Sequence, residues 1–443
     1  MTSTRPLLTN NATFWFIESF LIEQMDLGLL RQNLGPLALE KLSDDESALS
    51  SYVEFAADDL LCRELSEHAA SVQYPAAEDA VPCTVRHHFF FGPMGLCSHI
   101  LCLVVDPEVA AGLGPHALIA ISNVFETPLG KGSSKLVVDG VTYAPAAYLE
   151  QRLAKLVEQL PQPLRQLTAI APAANGEESL LLQQRPYVAT VLRFASAERY
   201  NEMFLQPMES LVAKIAVVEP GPHRTPEQWV DALRDGEALA LGAALAALLY
   251  RLKTATDWYN IDFSYLRGFA ATDRRGFENY HPHRDIFVTL HTRSMLVGVC
   301  TEREASQQLF GSFSSLLMAT VADARAKWYA SLFVNAHIDA YVAALQRKEE
   351  IDAVEVLGVL FDLRRGLISI LDSTTSRRRS LSSLSEIFEQ FNRMFGVAEL
   401  RDQAVQKTEL VEKIYQNLQQ LMLYRSARSR RFLDDSEIDQ SPA

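Results

Sequence analysis

The sequence predicts an α+β fold with a mixed central sheet region and an α-helical C-terminal bundle. Short β-type runs follow one another after Pro82, and helical periodicity extends from Thr301 almost to the end of the chain. Within the first of these regions, the pair Asp139-Gly140 lies between two runs that contain β-branched residues, which is a strong hairpin signal. The 443 residues are 48% apolar and 22% charged, so disordered and fibrous classes are excluded.

Five segments are expected along the chain. They are an acidic helical segment (1–81), a mixed α/β domain (82–220), an α-rich segment with a β-hairpin (221–300), a helical bundle (301–433) and a disordered tail (434–443). The run Pro220-Gly221-Pro222, which interrupts regular secondary structure, indicates a domain boundary. The final segment is short, acidic and without apolar anchors, which is typical of disorder.

The first segment is expected to begin with a helix N-capped by Asn10 or Asn11, burying Phe14, Ile17 and Phe20. The next segment contains candidate strands at Thr84–Phe91, His99–Val105, Ala117–Val124, Gln166–Ile170 and Tyr187–Phe194, the hairpin Lys135–Tyr143, and a helix at Ala147–Leu160. These elements predict a mixed sheet with at least one packed helix.

Later elements begin with an Ala/Leu-rich helix at 236–253 and a second hairpin, Ile286–His291 with Met295–Cys300. One or two long helices are expected at 302–346, and further helices at 349–372, 380–395 and 397–431. The last helix has a heptad pattern formed by Val397, Ala404, Val411 and Leu418, and by Leu400, Lys407, Ile414 and Leu421. Such a pattern predicts either packing on a preceding helix of the same chain or a homo-oligomer through residues 397–425.

Cellular location is inferred from cysteines and apolar runs. The five cysteines are sparse and without the spacing of a disulfide framework, so reduced thiols and a cytoplasmic location are expected. The longest apolar stretch, 238–250, is shorter than the roughly 20 residues needed to cross a bilayer, so no membrane span is expected. No motif identifies a cofactor.

A polar loop with two histidines is the first candidate for chemistry. His281 and His283 are two residues apart and project to the same side of extended backbone, where Asp285 could complete a metal site or orient a general base. His291 follows one strand-length later. An ordinary polar loop leading into a strand is the alternative interpretation.

Two weaker candidate binding sites, one for phosphate and one for zinc, also have non-functional interpretations. Lys131, Ser133 and Lys135 lie in a Gly-rich run that has some features of a phosphate cradle, but a strand rather than a helix follows it, which favours a flexible loop. The set His87, His88, Cys97, His99 and Cys102 has no standard zinc spacing, and Cys102 points away from Cys97 and His99 in a strand.

Charged residues are unevenly distributed along the chain, whose net charge is −14. Residues 1–80 contain four basic and fourteen acidic side chains, whereas residues 374–431 contain eleven basic and six acidic ones. The basic residues include Arg377, Arg378, Arg379, Arg425, Arg428, Arg430 and Arg431. Such a contrast in charge steers the approach of binding partners. Arginines near helix C-termini, however, also interact favourably with the helix dipole. Ser380 beside the first cluster is a candidate phosphorylation point.

The sequence therefore favours a non-enzymatic cytosolic interaction or regulatory protein that docks a protein partner through its C-terminal helices. A metal-assisted hydrolase or phosphate-handling enzyme with a site near His281, His283 and Asp285 is the first alternative. The second is a nucleic-acid-binding accessory protein using the C-terminal arginines, which the overall negative charge disfavours.

Overall fold

The structure is a computed structural model, and it describes most of the chain outside several long segments. The described residues are 11–22, 61–73, 80–91, 96–125, 135–159, 162, 168–169, 186–208, 245, 248–249, 277–291, 294–347, 356–358 and 382–438. Within these ranges it confirms the α+β prediction.

The described strands form one sheet. They are β1 (Asn11–Ile22), β2 (Leu61–Gln73), β3 (Val81–Phe91), β4 (Leu96–Val105), β5 (Lys135–Val138), β6 (Val141–Tyr143), β7 (Thr168–Ala169), β8 (Tyr187–Phe194), β9 (Phe277–His283), β10 (Ile286–His291) and β11 (Ser294–Cys300). Their order across the sheet is β6-β5-β2-β3-β4-β1-β8-β11-β10-β9, with β7 paired to the end of β1. Every described pairing is antiparallel except β8 with β11, which is parallel.

The described helices are α1 (Pro107–Ala110), α2 (Pro115–Ser122), α3 (Pro145–Gln159), α4 (Ala197–Tyr200), α5 (Glu304–Arg347), α6 (Ser382–Met394) and α7 (Val397–Ile438). A π-helical turn, Asn201–Leu205, continues α4. The predicted helix at 236–253 is described only at Leu245, Leu248 and Leu249, which are helical and buried. Most of the predicted helix at 349–372 lies outside the described residues.

Helices cover both faces of the sheet. On the face that we call the α3 face, Phe16 and Leu101 pack with Leu118 of α2 and Leu149 of α3. On the opposite face, which we call the α5 face, sheet residues such as Trp15, Ile100 and Val297 pack with Phe310 and Leu317 of α5 and Phe388 of α6. Ser98 Oγ also donates to the carbonyl of Ala322 over 2.8 Å, which ties α5 to β4.

The helix predicted near Phe14 is wrong, because residues 11–22 form strand β1. This strand lies between β4 and β8, where Thr13 pairs with both Val104 and Val191. A strand covered on both faces is apolar at consecutive positions and cannot be told from a buried helix by periodicity. Residues 61–73 of the same predicted helical segment form strand β2.

Two further element predictions are wrong. The strand expected at Ala117–Val124 is helix α2, which begins with Pro115 after the N-cap Gly114. Proline is favoured at the first helical position, and the apolar run fits a buried helix as well as a strand. The tail expected from Asp434 is helical as far as Ile438 because α7 continues through it.

Both predicted hairpins are confirmed. Asp139 and Gly140 have φ values of 50° and 78°, as a type I′ turn requires, and they connect β5 to β6. The second hairpin pairs Leu290 with Met295. Its strand β11 contains Gly298, where a side chain would overlap the Phe204 ring, so glycine permits the close approach of the α4 segment to the sheet.

The chain divides into two compact units. The first contains Met1–Ala326 and Ser376–Phe395, and therefore the sheet, the first part of α5, and α6. The second contains Lys327–Thr375 and Gly396–Ala443, and therefore the rest of α5 and α7. Gly396, with φ of 62°, stands between α6 and α7 in the left-handed conformation that commonly ends a helix.

Candidate functional site

The loop predicted to carry metal or acid–base chemistry is the turn between β9 and β10. His283 Nδ1 lies 3.8 Å from Asp285 Oδ2 and accepts a hydrogen bond from the Asp285 backbone N–H over 3.3 Å. Asp285 also accepts a hydrogen bond from Ser306 Oγ in the first turn of α5. The carboxylate therefore connects the turn to the helix, and His283 is held beside it.

His291 does not join this turn. It lies at the other end of β10, six residues from Asp285, or about 20 Å along an extended strand. Its side chain is fully buried, and its carbonyl accepts a hydrogen bond from the Tyr187 hydroxyl over 3.1 Å. His281 belongs to β9, and its side chain lies outside the described part of the structure.

Metal ligands do not cluster in the described residues: nowhere among them do three His, Cys, Asp or Glu side chains come together in a way that could hold an ion. The candidate zinc residues alternate as expected for strands, with His87 and His99 on the α3 face and Cys102 on the α5 face. The described cysteines Cys83, Cys97, Cys102 and Cys300 are buried free thiols. Burial raises the pKa of Cys83 to about 12, so this thiol stays protonated at neutral pH.

The other predicted binding residues are only partly described. Lys131 and Ser133 lie outside the described residues, and Lys135 is exposed at the start of β5. The cluster at 377–379 also lies outside them. Arg425, Arg428, Arg430 and Arg431 belong to α7, with their side chains outside the description.

A buried polar chain connects the sheet to α3, and we call it the histidine chain: Tyr148, His87, His99 and Glu18. The Tyr148 hydroxyl lies 3.0 Å from His87 Nε2, and His87 Nδ1 lies 3.0 Å from His99 Nε2. His99 Nδ1 is 3.9 Å from Glu18 Oε2, beyond hydrogen-bond distance. Both histidine side chains have no solvent exposure.

The strand register explains how these residues meet. His99 pairs with Glu18 of β1 on one side and with Phe89 of β3 on the other. Side chains two residues apart share a face, so His87 is diagonal to His99. The His99 ring stacks on Phe89 with 4.4 Å between ring centroids, which fixes its orientation.

The carboxylate favours one direction for the protons in the histidine chain. If Tyr148 donates to His87 Nε2, the His87 proton lies on Nδ1 and is donated to His99 Nε2. The His99 proton then lies on Nδ1, facing the negative charge of Glu18. The opposite order would turn a nitrogen lone pair toward the carboxylate, which is electrostatically unfavourable.

The surroundings keep the His99 imidazole neutral. Burial lowers the pKa of His99 to about 3, with smaller contributions from the charges of His88 and Arg152. Burial also lowers the pKa of His88 to about 4, and the charge of Arg86 adds to the effect. Burial raises the pKa of Tyr148, although Arg152, whose guanidinium lies 5.0 Å from the Tyr148 ring centroid, opposes that shift.

A closed chain of this kind can orient α3 on the sheet but cannot reach a substrate, since its imidazoles have no solvent-exposed surface. Sequence reasoning noticed His87 and His99 only as weak zinc ligands. Their alternation in two consecutive strands could have placed them on one face. Tyr148 and Glu18 could not be assigned to them, because their positions depend on long-range packing.

Helix α7 changes in environment along its length. Val397, Ala404 and Val411, three positions of the predicted heptad pattern, are buried. Within the second unit, Asn335 Nδ2 donates to the Leu400 carbonyl over 2.7 Å. Lys407, which breaks the heptad pattern, donates to Asp339 Oδ2 over 2.6 Å. Packing of α7 on α5 thus accounts for part of the pattern, whereas a coiled coil stays a prediction.

Further along α7, four consecutive large apolar side chains are exposed, and we call them the apolar block. Their exposed fractions are 56% for Leu421, 58% for Met422, 69% for Leu423 and 66% for Tyr424. The preceding heptad residue, Leu418, is only half-buried. Consecutive helical residues point about 100° apart, so the block presents apolar surface around the helix.

Comparison of the chain with protein-family models, curated proteins and solved structures finds no match. Among the described helices, none combines the length and the apolar character needed to cross a membrane.

Proposed function

We propose that this chain is a non-enzymatic interaction protein that docks an acidic protein partner through α7. The observation that carries the proposal is the exposure of the apolar block, Leu421–Tyr424, by 56% to 69% of each side chain. Single exposed apolar residues are ordinary on protein surfaces, but a contiguous group of large ones is typical of an interaction site.

The position of the block supports a docking role. Val397, Ala404 and Val411 are buried, whereas Leu410 is 50% exposed, so the earlier part of this helix buries one stripe of apolar side chains. Leucine and methionine each contribute about 1.5–3 kcal/mol when fully transferred from water. A helix with apolar residues around its circumference fits a groove better than a flat surface.

The flanking charge indicates the chemistry of the partner. Arg425, Arg428, Arg430 and Arg431 follow the block in the same helix, and residues 421–433 contain no acidic residue. A groove with acidic rims would complement this arrangement, because opposite charges around an apolar contact accelerate association and fix its register.

The alternative functions have less support. At the β9–β10 turn, Asp285 already accepts a hydrogen bond from Ser306, and no third metal-ligating side chain joins His283 and Asp285 among the described residues. Nucleic acid would also complement the arginines, but it offers no groove for four large apolar side chains. Docking of an acidic protein uses both features.

A matched pair of variants tests the proposal. One variant carries Leu421→Ser, Leu423→Ser and Tyr424→Ser, and the control carries Gln416→Ser, Asn417→Ser and Gln420→Ser on exposed positions of the same helix. The companion of the full-length wild-type protein is purified, identified and expressed, and its Kd is measured calorimetrically at two salt concentrations.

We expect the apolar variant to weaken binding by at least about tenfold, since loss of large side chains at an interface centre costs about 2 kcal/mol or more. The control should bind as the wild type does. Equal affinities for both variants would overturn the proposal. So would a companion that is nucleic acid with a steep salt dependence, or a second copy of the chain revealed by sedimentation.

A further inference from the structure

Helix α7 lies on α5 in one defined register within the second unit. Asn335 Nδ2 donates to the Leu400 carbonyl over 2.7 Å. Four residues later along α5, Asp339 Oδ2 accepts a hydrogen bond from the Lys407 ammonium over 2.6 Å. Residue numbers increase together in the two contacts, so the helices run in the same direction. Asn335 and Asp339 share one face of α5 because they are one helical turn apart.

This register accounts for the exposure of the apolar block. The described part of α5 ends at Arg347, about 12 Å along the helix axis after Asp339. Leu421 is about 21 Å along α7 after Lys407, and therefore lies beyond that end. None of the described side chains of α7 between 412 and 424 is buried. A shift of α7 by one heptad, about 10 Å, would bring Leu421 alongside α5.

Apolar packing does not select this register by itself. The buried positions Val397, Ala404 and Val411 repeat every seven residues, so a shift of one heptad replaces each of them with the next apolar residue of the same series. The ion pair between Lys407 and Asp339 adds little, because Asp339 is 62% exposed and exposed ion pairs contribute little to stability.

Asn335 is an unfavourable residue for the stability of this contact. It is only 6% exposed, and its Nδ2 donates to the carbonyls of both Ser331 and Leu400. Its Oδ1 is buried, and no described group donates a hydrogen bond to it. The oxygen therefore loses its hydration without compensation, which lowers the stability of the fold. In paired helices, a buried asparagine can fix the register at such a cost in stability.

We propose that Asn335 is a positioning residue for docking: its amide selects the register in which the apolar block lies beyond the described end of α5 and is open to a partner. This inference rests on the proposed function of α7. An apolar side chain at position 335 would stabilise the helix contact and yet permit more than one register. Stability and partner affinity then change in opposite directions, which a purely structural residue would not produce.

A pair of nitroxide labels measures the register without a partner. The labels are attached to Val342→Cys on α5 and Gln406→Cys on α7, two positions of the second unit whose side chains are at least partly exposed. The full-length chain also carries Cys62→Ser, since the other four cysteines are buried and should react slowly with the label. Electron spin resonance then gives the distribution of label distances.

The label distance, the Tm and the partner Kd are compared for this parent protein and for three variants. Asn335→Leu replaces the amide with an apolar side chain of similar size, and Asn335→Ala removes it without requiring space. The control is Ser331→Ala, which removes another buried polar group from the same face of α5. The Ser331 hydroxyl donates within that helix, to the Lys327 carbonyl over 2.9 Å.

We expect the parent and Ser331→Ala to have one label distance. Both variants at Asn335 should show a second population, in which α7 is displaced by about 10 Å along its axis. Asn335→Leu should melt at or above the Tm of the parent. Its Kd should rise by the reciprocal of the fraction that keeps the original register, so an equal division between two registers weakens binding about twofold.

A single, unchanged label distance for both Asn335 variants would overturn the inference. So would a second distance combined with an unchanged Kd, provided that the apolar-block variant does weaken binding. Failure of the proposed function is recognised separately, because the apolar-block variant and its polar control would then bind the partner equally. The label distances report the register in either case.

Discussion

The histidine chain shows how a few side chains satisfy one another inside the protein. Each bond in it uses one donor and one acceptor, from the Tyr148 hydroxyl through His87 to His99. Because these groups are buried, loss of one leaves its neighbour without a partner, which costs more than the bond itself contributes. The chain therefore fixes α3 to the sheet more specifically than apolar contacts would.

Removal of the Tyr148 hydroxyl measures that contribution. We expect Tyr148→Phe to lower the free energy of unfolding by about 1–3 kcal/mol, because His87 Nε2 loses its partner while buried. Tyr143→Phe is the control, since its ring centroid lies 5.0 Å from that of Tyr148 and its side chain is only half-buried. Urea denaturation of both variants provides the comparison, and equal stabilities would contradict the role assigned to the hydroxyl.

Acid should destabilise the fold through the buried imidazoles. The pKa of His99 is lowered to about 3 and that of His88 to about 4, both from 6.5. Below about pH 6.5 the unfolded chain binds protons that the folded chain does not. The stability that these groups contribute is therefore complete above pH 6.5 and is lost as the pH falls toward 4 and then 3.

Denaturation at neutral and mildly acidic pH checks this dependence. The wild type should lose stability between the two conditions, and His88→Asn should lose less. An identical pH dependence for wild type and His88→Asn would show that His88 does not titrate as described.

At the scale of elements, local signals identified much of the fold. Strands β3, β4 and β8, helix α3 and both hairpins follow from alternation, stripes and the Asp139-Gly140 turn. Strand β1 could not be recognised because packing on both faces removes its alternation. Helix α2 had a signal, Gly114 before Pro115, that the apolar run obscured.

The candidate sites depend more strongly than the individual elements on how strands that are distant in the sequence pair with one another. His87 and His99 are separated by a single connection, and their proximity could have been inferred from strand alternation. The approach of Glu18 to His99 is different, because β1 and β4 are far apart in the sequence and meet only in the sheet. No spacing along the sequence encodes that arrangement.

Because β11 contacts the α4 segment closely, the effect of adding a single methyl group at Gly298 can be predicted. A side chain at Gly298 would overlap the Phe204 ring, so Gly298→Ala should destabilise the protein by about 1–3 kcal/mol. Gly311→Ala is the matched control, because nothing lies near that position in α5 and alanine favours the helix by up to about 1 kcal/mol. In a thermal unfolding experiment, Gly298→Ala should have a lower Tm than the wild type and Gly311→Ala should not. An unchanged Tm for Gly298→Ala would contradict the described packing.

At the scale of the whole molecule, the two units carry different proposed roles. The first unit holds the histidine chain in and around one sheet. The second contains α7, in which Val397, Ala404 and Val411 are buried and Leu421–Tyr424 are exposed. Net charge is also unevenly distributed, with the basic residues of 425–431 following the apolar block in a chain of net charge −14. These features support the proposed docking through α7 in the second unit.

The most direct measurement is the ratio of partner Kd values for the Leu421, Leu423 and Tyr424 variant and for the polar control at positions 416, 417 and 420. Docking through the apolar block predicts a ratio of at least about ten, with both variants unfolding at the same temperature. A ratio near one, measured on folded proteins with the same purified partner, would contradict the account.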